Sequence, residues 1–320
     1  MHEQAPDGPK AHGSSKGARV TSQGLKLGGM SDDLCLLSVH AHPDDESSKG
    51  ASTVAMYRAQ GVRCVLVCCT GGEEGDILNP AMDRPDVRAD LARVRRDELA
   101  RAAEIIGYNE VVMLGYRDSG MPGTPANERP DCFARAGVGE ATGRLVEIVR
   151  RERPQVMLVY PALQSMYPHP DHIRAHEVGL AAFLAAGDPG AFPEAGNPWQ
   201  PQKLYYMLWS KKRQLATMEK FKELGLELPW TDERLEAMAN APQEDVTTEL
   251  DVSAWASVRD KALRAHATQV DPASPFWFGL PDDVKAELGH WDDYHLAYNH
   301  TSSTPPEDDL FAGIRERAAL

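Results

Sequence analysis

Short apolar runs alternate with helix-like segments along residues 31–209, and this alternation predicts parallel βαβ units. The fold class is therefore expected to be α/β, a three-layer sandwich around a mostly parallel sheet. Right-handed crossovers bring the loops that follow the strands to one edge of such a sheet, where ligands bind. The predicted strands are 34–39, 62–69, 110–114, 155–160 and 203–209, and the predicted helices are 46–60, 87–106, 139–152 and 173–186.

The two ends of the chain lack this regular alternation. Residues 1–30 contain no apolar segment like that of a secretory signal, so we expect a flexible N-terminal tail. Residues 31–210 are expected to form the α/β domain, and residues 211–320 a helical and loop-rich C-terminal lobe that packs on it. Within this lobe, residues 210–250 have a helical, highly charged pattern, and a helix is predicted for 251–269 with mostly loops after it.

The composition restricts the classes of partner. The chain has 320 residues, of which 42% are apolar, and a formal net charge of −14. An acidic surface repels phosphate groups, and no apolar run is long enough to span a bilayer, so neither nucleic acid nor a membrane is an expected partner. The five cysteines lack the spacing of a structural zinc site. They predict buried, reduced thiols and a cytoplasmic protein.

The first predicted strand is followed by histidine and carboxylate side chains, at a turn where nucleotide-binding α/β proteins usually carry glycines. Pro43 favours the start of a helix, and the three-residue step from His42 to Asp45 lets both side chains converge on one point. Imidazole and carboxylate are ligands that suit Zn²⁺, and Asp44 remains free beside them. Alternatively, the acidic residues only interact favourably with the helix dipole, but His42 among three acids favours a metal site.

A second cluster of the same kind, Tyr-Pro-His-Pro-Asp-His at 167–172, follows the fourth predicted strand. Two histidines and one carboxylate, drawn from both clusters, would leave the open position that a catalytic zinc requires. The metal would polarise a carbonyl group and activate water, the Asp44 carboxylate would accept a proton, and a further histidine would bind the oxyanion or protonate the leaving group. A metal pair of His172 and His176 on one helix is a less favoured alternative. His40 is expected to be a supporting or core histidine.

A glycine-rich loop at 70–76 follows the second predicted strand. Its three acidic residues argue against phosphate binding and favour contact with substrate, including sugar hydroxyl groups. Lys49, Arg95 and Asp118 are expected near the same edge, although such residues more often lie on a surface as solvated charges.

The chain resembles the LmbE-like (GlcNAc-PI de-N-acetylase) superfamily from about Leu34 to Tyr206, and again at 262–272 and 309–314. The segments HAHPDDESSKGA, TGGEEGDILNPAMD, RRDELARAAEIIG, LGYRDSGMP and YPHPDHIRAHEV occur in the family's order, and the pair HPDDE and HPDH is its most specific mark. The resemblance implies a Rossmann-like deacetylase fold and a zinc-dependent amide hydrolase. It further implies hydrolysis of mycothiol S-conjugates, small thiol–sugar molecules, to glucosaminyl-inositol and an N-acetylcysteine S-conjugate.

The same resemblance implies roles for individual residues. One Zn²⁺ per subunit is expected on His42, Asp45 and His172, with Asp44 as the general base; Fe²⁺ would suit the same ligands. The other implied roles are stabilisation of the tetrahedral intermediate or protonation of the amine by His169 and Tyr167, orientation of a histidine by Asp171, and contact with the substrate by Lys49, Glu74, Arg95 and Asp118. His266, in the segment HATQ, matches a family motif to which no role is assigned.

Several other functions remain open at this stage. Within the same chemistry, the alternatives are deacetylation of N-acetylglucosaminyl-inositol and a related amidase or deacetylase of secondary metabolism, because residues 160–166 and 210–250 diverge from the family pattern. Outside it, a binding module without catalysis is disfavoured by the complete set of ligands and base. A nucleotide-binding protein is disfavoured because the glycine fingerprint of that class is absent.

Overall fold

The computed structural model describes residues 34–164 and 167–315, so the tail predicted for residues 1–30 lies outside the described residues. Within these ranges one sheet has the strand order β3-β2-β1-β4-β5-β7-β6. Its strands are β1 (Cys35–His40), β2 (Arg63–Thr70), β3 (Glu110–Tyr116), β4 (Val156–Val159), β5 (Lys203–Leu208), β6 (Thr248–Asp251) and β7 (Trp291–Asn299). Strands β1 to β5 pair in parallel, whereas β7 is antiparallel to both β5 and β6. The predicted α/β fold with a mostly parallel sheet is confirmed.

Helices cover both faces of the sheet. They are α1 (Asp45–Ser48), α2 (Ala51–Ala59), α3 (Pro85–Ala89), α4 (Leu91–Ile106), α5 (Val138–Glu152), α6 (Pro170–Ala185), α7 (Lys211–Glu223), α8 (Asp232–Asn240), α9 (Ala256–Ala265), α10 (Pro275–Phe278) and α11 (Asp282–Leu288). The helix predicted at 46–60 is broken in two at Gly50, where φ is 81°, a conformation that glycine adopts with least strain. Among the described residues, no helix combines the length and the apolar character needed to cross a bilayer.

The two faces of the sheet carry separate apolar cores, because consecutive strand residues point to opposite sides. On one face, Leu37 of β1 packs with Leu145 of α5 and Phe183 of α6. On the other face, Leu36 packs with Val54 of α2 and with residues of α9. The five cysteines are free and buried, as the sequence predicts. The loops at the strand ends are therefore attached to strands that are packed on both faces.

The C-terminal part contributes to the same sheet through a strand that the sequence, interpreted as mostly loops after residue 269, did not predict. Strand β7 lies between β5 and β6. The sequence did not indicate β7, because the strand includes polar residues. One of them, Asp293, is buried and accepts hydrogen bonds from Ser210 and from Arg213 Nε at 3.2 Å. The division of the chain at residue 210 stays a prediction.

Candidate metal centre and active site

The two His-Pro-Asp segments follow β1 and β4, which are adjacent and parallel. Their carboxyl ends therefore lie at the same edge of the sheet. The backbone N–H of Ala41 donates a 2.9 Å hydrogen bond to the Tyr160 hydroxyl, which ties the two loops together directly after the strands. The side chains that follow Ala41 and Tyr160 consequently meet over this edge.

The structure brings the three predicted metal ligands together. Asp45 Oδ2 lies 3.3 Å from His42 Nδ1 and 3.3 Å from His172 Nε2, and one donor atom from each residue fits within a 4.8 Å group. Ligands placed about 2.0–2.2 Å from a tetrahedral zinc ion are separated by about 3.3 Å, so these spacings fit such an ion. All three side chains are buried, and a site with three protein donors would leave a further position for water or substrate. The donor set and its spacing thus fit a divalent cation, while the role of each residue as a ligand stays a prediction.

A second acidic group lies on the other nitrogen of the His42 ring. His42 Nε2 is 3.2 Å from Asp171 Oδ2 and 3.6 Å from Asp118 Oδ1. Asp171 is itself held by the Ser119 backbone N–H at 2.9 Å and by the Ser119 hydroxyl. A carboxylate that accepts the outer N–H of a metal-bound imidazole fixes the tautomer and orientation of the ring. His42 can therefore present Nδ1 to a cation while Asp171 accepts the proton on Nε2.

The ionisation of the ligands follows from these contacts. Burial alone would lower the pKa of His42, but hydrogen bonds to Asp118, Asp171 and Asp45 raise it well above its usual value. Burial would likewise raise the pKa of Asp45, but the charges of Lys49 and His172 hold it well below its usual value. A cation that binds His42 Nδ1 must displace a proton, so metal affinity is expected to fall as the pH falls.

Asp44 occupies a strained position next to the donor cluster. Its φ of 114° lies in the left-handed region, which costs a residue other than glycine about 1–3 kcal/mol. The conformation is held because Arg95 Nη2 donates to Asp44 Oδ2 at 3.1 Å and to the Pro43 carbonyl at 2.7 Å. Burial raises the pKa of Asp44 to about 6, against the opposing charge of Arg95. A carboxyl group with a pKa near neutral pH is suited to proton transfer.

His169 offers a hydrogen-bond donor to the same space. It caps the N-terminus of α6, where its Nδ1 accepts a 3.2 Å hydrogen bond from the Asp171 backbone N–H. Burial, with the positive charges of His42 and His172 nearby, lowers the pKa of His169 to about 4, so the ring is neutral at pH 7. Because Nδ1 accepts, the single ring proton is on Nε2. The ring centre of Tyr167 lies 5.8 Å from that of His169, and this tyrosine is 47% exposed.

The four predicted substrate contacts lie around this cluster but are engaged with protein groups. Lys49 Nζ is 2.7 Å from Asp45 Oδ1, and Arg95 holds Asp44. Asp118 faces His42 and accepts a 2.8 Å hydrogen bond from the Gly120 N–H, while Glu74 pairs with Arg117. Their contacts with a substrate stay predictions.

The structure gives His266 a position that the sequence did not indicate. His266 Nε2 lies 2.6 Å from Glu46 Oε1, and both side chains are fully buried. The other carboxylate oxygen of Glu46 accepts the Asp44 backbone N–H at 2.9 Å. Thr268, two residues after His266, supports neighbouring parts of the site. Its backbone N–H donates to Glu98 Oε1, and its own carbonyl oxygen accepts the Leu78 N–H at 2.8 Å. A separation of 220 residues between His266 and Glu46 leaves no spacing pattern from which this pair could be predicted.

The remaining histidines have supporting positions. His176 Nδ1 lies 2.9 Å from the Tyr160 carbonyl oxygen, so its ring faces the backbone of the second loop rather than pairing with His172. His40 is buried, and neither of its ring nitrogens has a hydrogen-bond partner among the described residues. Burial lowers the pKa of His40 to about 4, so this ring is neutral beneath the site.

Comparison with known proteins agrees with the geometry. Residues 37–183 match the PIG-L family, which is described as GlcNAc-PI de-N-acetylase. A Streptomyces coelicolor protein named mycothiol S-conjugate amidase is 42% identical over 297 residues, which cover 90% of this chain and 100% of that protein. A Streptomyces avermitilis protein named 1D-myo-inositol 2-acetamido-2-deoxy-alpha-D-glucopyranoside deacetylase is 40% identical over 293 residues, which cover 88% of this chain and 98% of that protein.

A solved structure shares the fold. The N,N'-diacetylchitobiose deacetylase of Pyrococcus horikoshii superposes with a TM-score of 0.57 at 18% identity, covering 82% of this chain and 84% of the other. This likeness supports the fold, whereas the identity to the Streptomyces proteins over almost the whole chain establishes common descent. The chain belongs to the PIG-L (GlcNAc-PI de-N-acetylase) family of deacetylase- and amidase-type hydrolases, as its motifs predicted.

Proposed function

We propose that this enzyme is a zinc-dependent amidase that hydrolyses mycothiol S-conjugates, releasing glucosaminyl-inositol and an N-acetylcysteine S-conjugate in a thiol detoxification reaction. The observation that carries the proposal is the convergence of His42, Asp45 and His172 beside the carboxylate of Asp44, which Arg95 holds in place. The 42% identity to a protein named for this activity supports the choice of substrate. A cytoplasmic location agrees with the free, buried cysteines.

The chemistry divides between the cation and the side chains. When bound, a divalent cation at this site would lower the pKa of a water molecule and polarise the amide carbonyl. Asp44 accepts the proton of the attacking water and later delivers it to the glucosamine nitrogen, as the new C–O bond forms and the C–N bond breaks. His169 donates from Nε2 to the oxygen on which negative charge develops, because its ring is neutral and protonated there. Partial burial and the nearby carboxylates raise the pKa of Tyr167, so its protonated hydroxyl supplies a further donor or protonates the amine.

Zinc is the cation that we propose, one per subunit. Two imidazoles and one carboxylate with an open position are the usual donors of a catalytic zinc site, and Fe²⁺ accepts the same set. Metal analysis of protein purified without added metal tests the assignment. One equivalent of zinc is the expected result, and protein that is active with iron and inactive with zinc would contradict it.

Deacetylation of N-acetylglucosaminyl-inositol is the second candidate. It is favoured by the 40% identity to a protein named for that reaction, close to the value for the amidase. Both reactions release the same glucosamine amine from an amide, so the site described above serves either one.

An amine-release assay with matched substrates separates the two. We expect the value of kcat/KM for a bimane-type mycothiol conjugate to exceed that for N-acetylglucosaminyl-inositol, with both reactions lost on chelation. A much faster release from the N-acetyl sugar would refute the amidase assignment in favour of the deacetylase. Release unaffected by chelation would refute the metal-dependent mechanism itself.

A further inference from the structure

A large cavity adjoins the candidate active site at the same edge of the sheet. Its volume is about 690 Å³, which is within the range of small-molecule binding sites. Lys49 and Gly50, which directly follow α1, line the cavity, and so does Trp209. Trp209 follows β5, which is parallel to β4, so it lies beyond the same carboxyl ends as the donor cluster.

The walls of this cavity are rich in aromatic side chains. Four of the chain's six tryptophans line it, together with two phenylalanines. These residues are Trp209, Trp230, Trp277, Trp291, Phe221 and Phe276. The ring centres of Phe276 and Trp277 are 4.6 Å apart, and that of Trp209 lies 5.9 Å from each of them. Because Trp209, Trp230 and Trp277 are only half-buried, part of their apolar surface stays available to a ligand.

The side chain of Lys49 lies between the aromatic walls and the active site. Lys49 Nζ lies 2.7 Å from Asp45 Oδ1 and 5.6 Å from the centre of the Trp209 ring. The cavity is therefore separated from the donor cluster by about one side chain.

We infer that this aromatic cavity binds the apolar, typically aromatic, S-substituent of the thiol conjugate whose amide is hydrolysed beside it, an inference that depends on the proposed amidase function. In an S-substituted N-acylcysteine, the sulfur is three bonds, roughly 4 Å, from the reacting carbonyl carbon. A ring attached to that sulfur is long enough to pass Lys49 and stack on Trp209 or Trp277. The acetyl group of the alternative substrate ends one bond from the carbonyl carbon and is too short to enter the cavity.

The inference predicts a preference for large apolar S-substituents that depends on the cavity walls. The experiment measures kcat/KM for S-benzyl and S-methyl mycothiol in the wild type, in Trp277→Leu and in Trp199→Leu. Trp199 is the matched control, because it lies outside the cavity lining and donates to the Pro154 carbonyl at 2.7 Å. The ratio of the two values within one preparation is independent of how much protein is active.

We expect the wild-type benzyl-to-methyl ratio to be at least about tenfold, and Trp277→Leu to reduce it several-fold while Trp199→Leu leaves it unchanged. A wild-type ratio below about threefold, or the same ratio in Trp277→Leu as in the wild type, would overturn the inference alone. If Trp277→Leu yields no active protein, the wild-type ratio decides. Hydrolysis of N-acetylglucosaminyl-inositol with neither conjugate cleaved would instead overturn the proposed function, and the inference with it.

Discussion

Replacing His266 by alanine removes the imidazole that lies 2.6 Å from Glu46 Oε1. Both side chains are fully buried, so Glu46 loses a charged partner at a place away from bulk water. Removing one member of a buried ion pair costs about 3–5 kcal/mol in free energy of unfolding. Glu46 keeps two hydrogen bonds, from the Asp44 N–H at 2.9 Å and the Ser47 hydroxyl at 2.6 Å, and these favour a loss of about 3 kcal/mol, the lower end of this range.

The stability loss is expected to depend on pH. Burial alone would lower the pKa of His266, but the Glu46 carboxylate outweighs it and raises that pKa above its usual value. Burial would raise the pKa of Glu46, but His266 holds it below its usual value. A raised histidine pKa stabilises the fold fully below about pH 6.5, and the gain is lost as the pH rises through the folded value. The lowered pKa of Glu46 contributes stability above about pH 4.5. The largest difference in free energy of unfolding between the wild type and His266→Ala is therefore expected between about pH 4.5 and pH 6.5.

Urea unfolding of the wild type and His266→Ala at pH 6 and pH 9 measures both effects. His295→Ala is the matched control, because His295 Nδ1 lies 3.3 Å from Asp245 Oδ2 in a solvent-accessible pair whose side chains are 31% and 79% exposed, and its loss should cost less than about 1 kcal/mol. His266→Gln retains a donor and should recover part of the stability. Turnover of His266→Ala should fall about 10–100-fold, because the loop of Asp44 loses its support. A loss no greater than that of His295→Ala would refute the reasoning.

Three further predictions concern the metal centre. Asp44→Asn should retain the metal and lose about 10²–10⁴-fold in kcat, as measured by metal analysis and amine release, and near-normal turnover would exclude Asp44 as the base. The value of kcat/KM should fall at acidic pH with a midpoint at or below about pH 6. Burial raises the pKa of Asp44 to about 6, and a bound cation would lower it. A midpoint above about pH 7 would contradict the role of Asp44 as the base. Asp171→Asn should weaken zinc binding about 10–100-fold in a chelator competition, because His42 loses its charged acceptor, and unaltered affinity would exclude this role.

The α/β fold was predictable because its buried parallel strands are short apolar runs that alternate with helical segments. Leu36 and Leu37 are both fully buried against helices on opposite faces, so the run from which they come is apolar except at Ser38. Strand β7 was missed because its interior includes the carboxylate of Asp293, which is buried only because Ser210 and Arg213 bind it. Such compensation between distant residues cannot be read from local hydrophobicity.

The candidate site was predictable only in part. His42, Asp45 and the 167–172 segment follow two strands of one parallel sheet, so the sheet topology alone brings them to a common edge. The supporting contacts of Ser119 with Asp171, and of His266 with Glu46, join segments far apart in the chain and required the structure. The break at Gly50 was also missed, because glycine within a helical pattern does not by itself indicate where the helix ends.

Anomalous scattering recorded on both sides of the zinc absorption edge, from crystals grown with Zn²⁺, tests the metal centre most directly. A single peak about 2.0–2.2 Å from His42 Nδ1, Asp45 Oδ2 and His172 Nε2 is the predicted result. A peak on the opposite side of the His42 ring, bound by Asp118, His169 and Asp171, would contradict the assignment of the ligands.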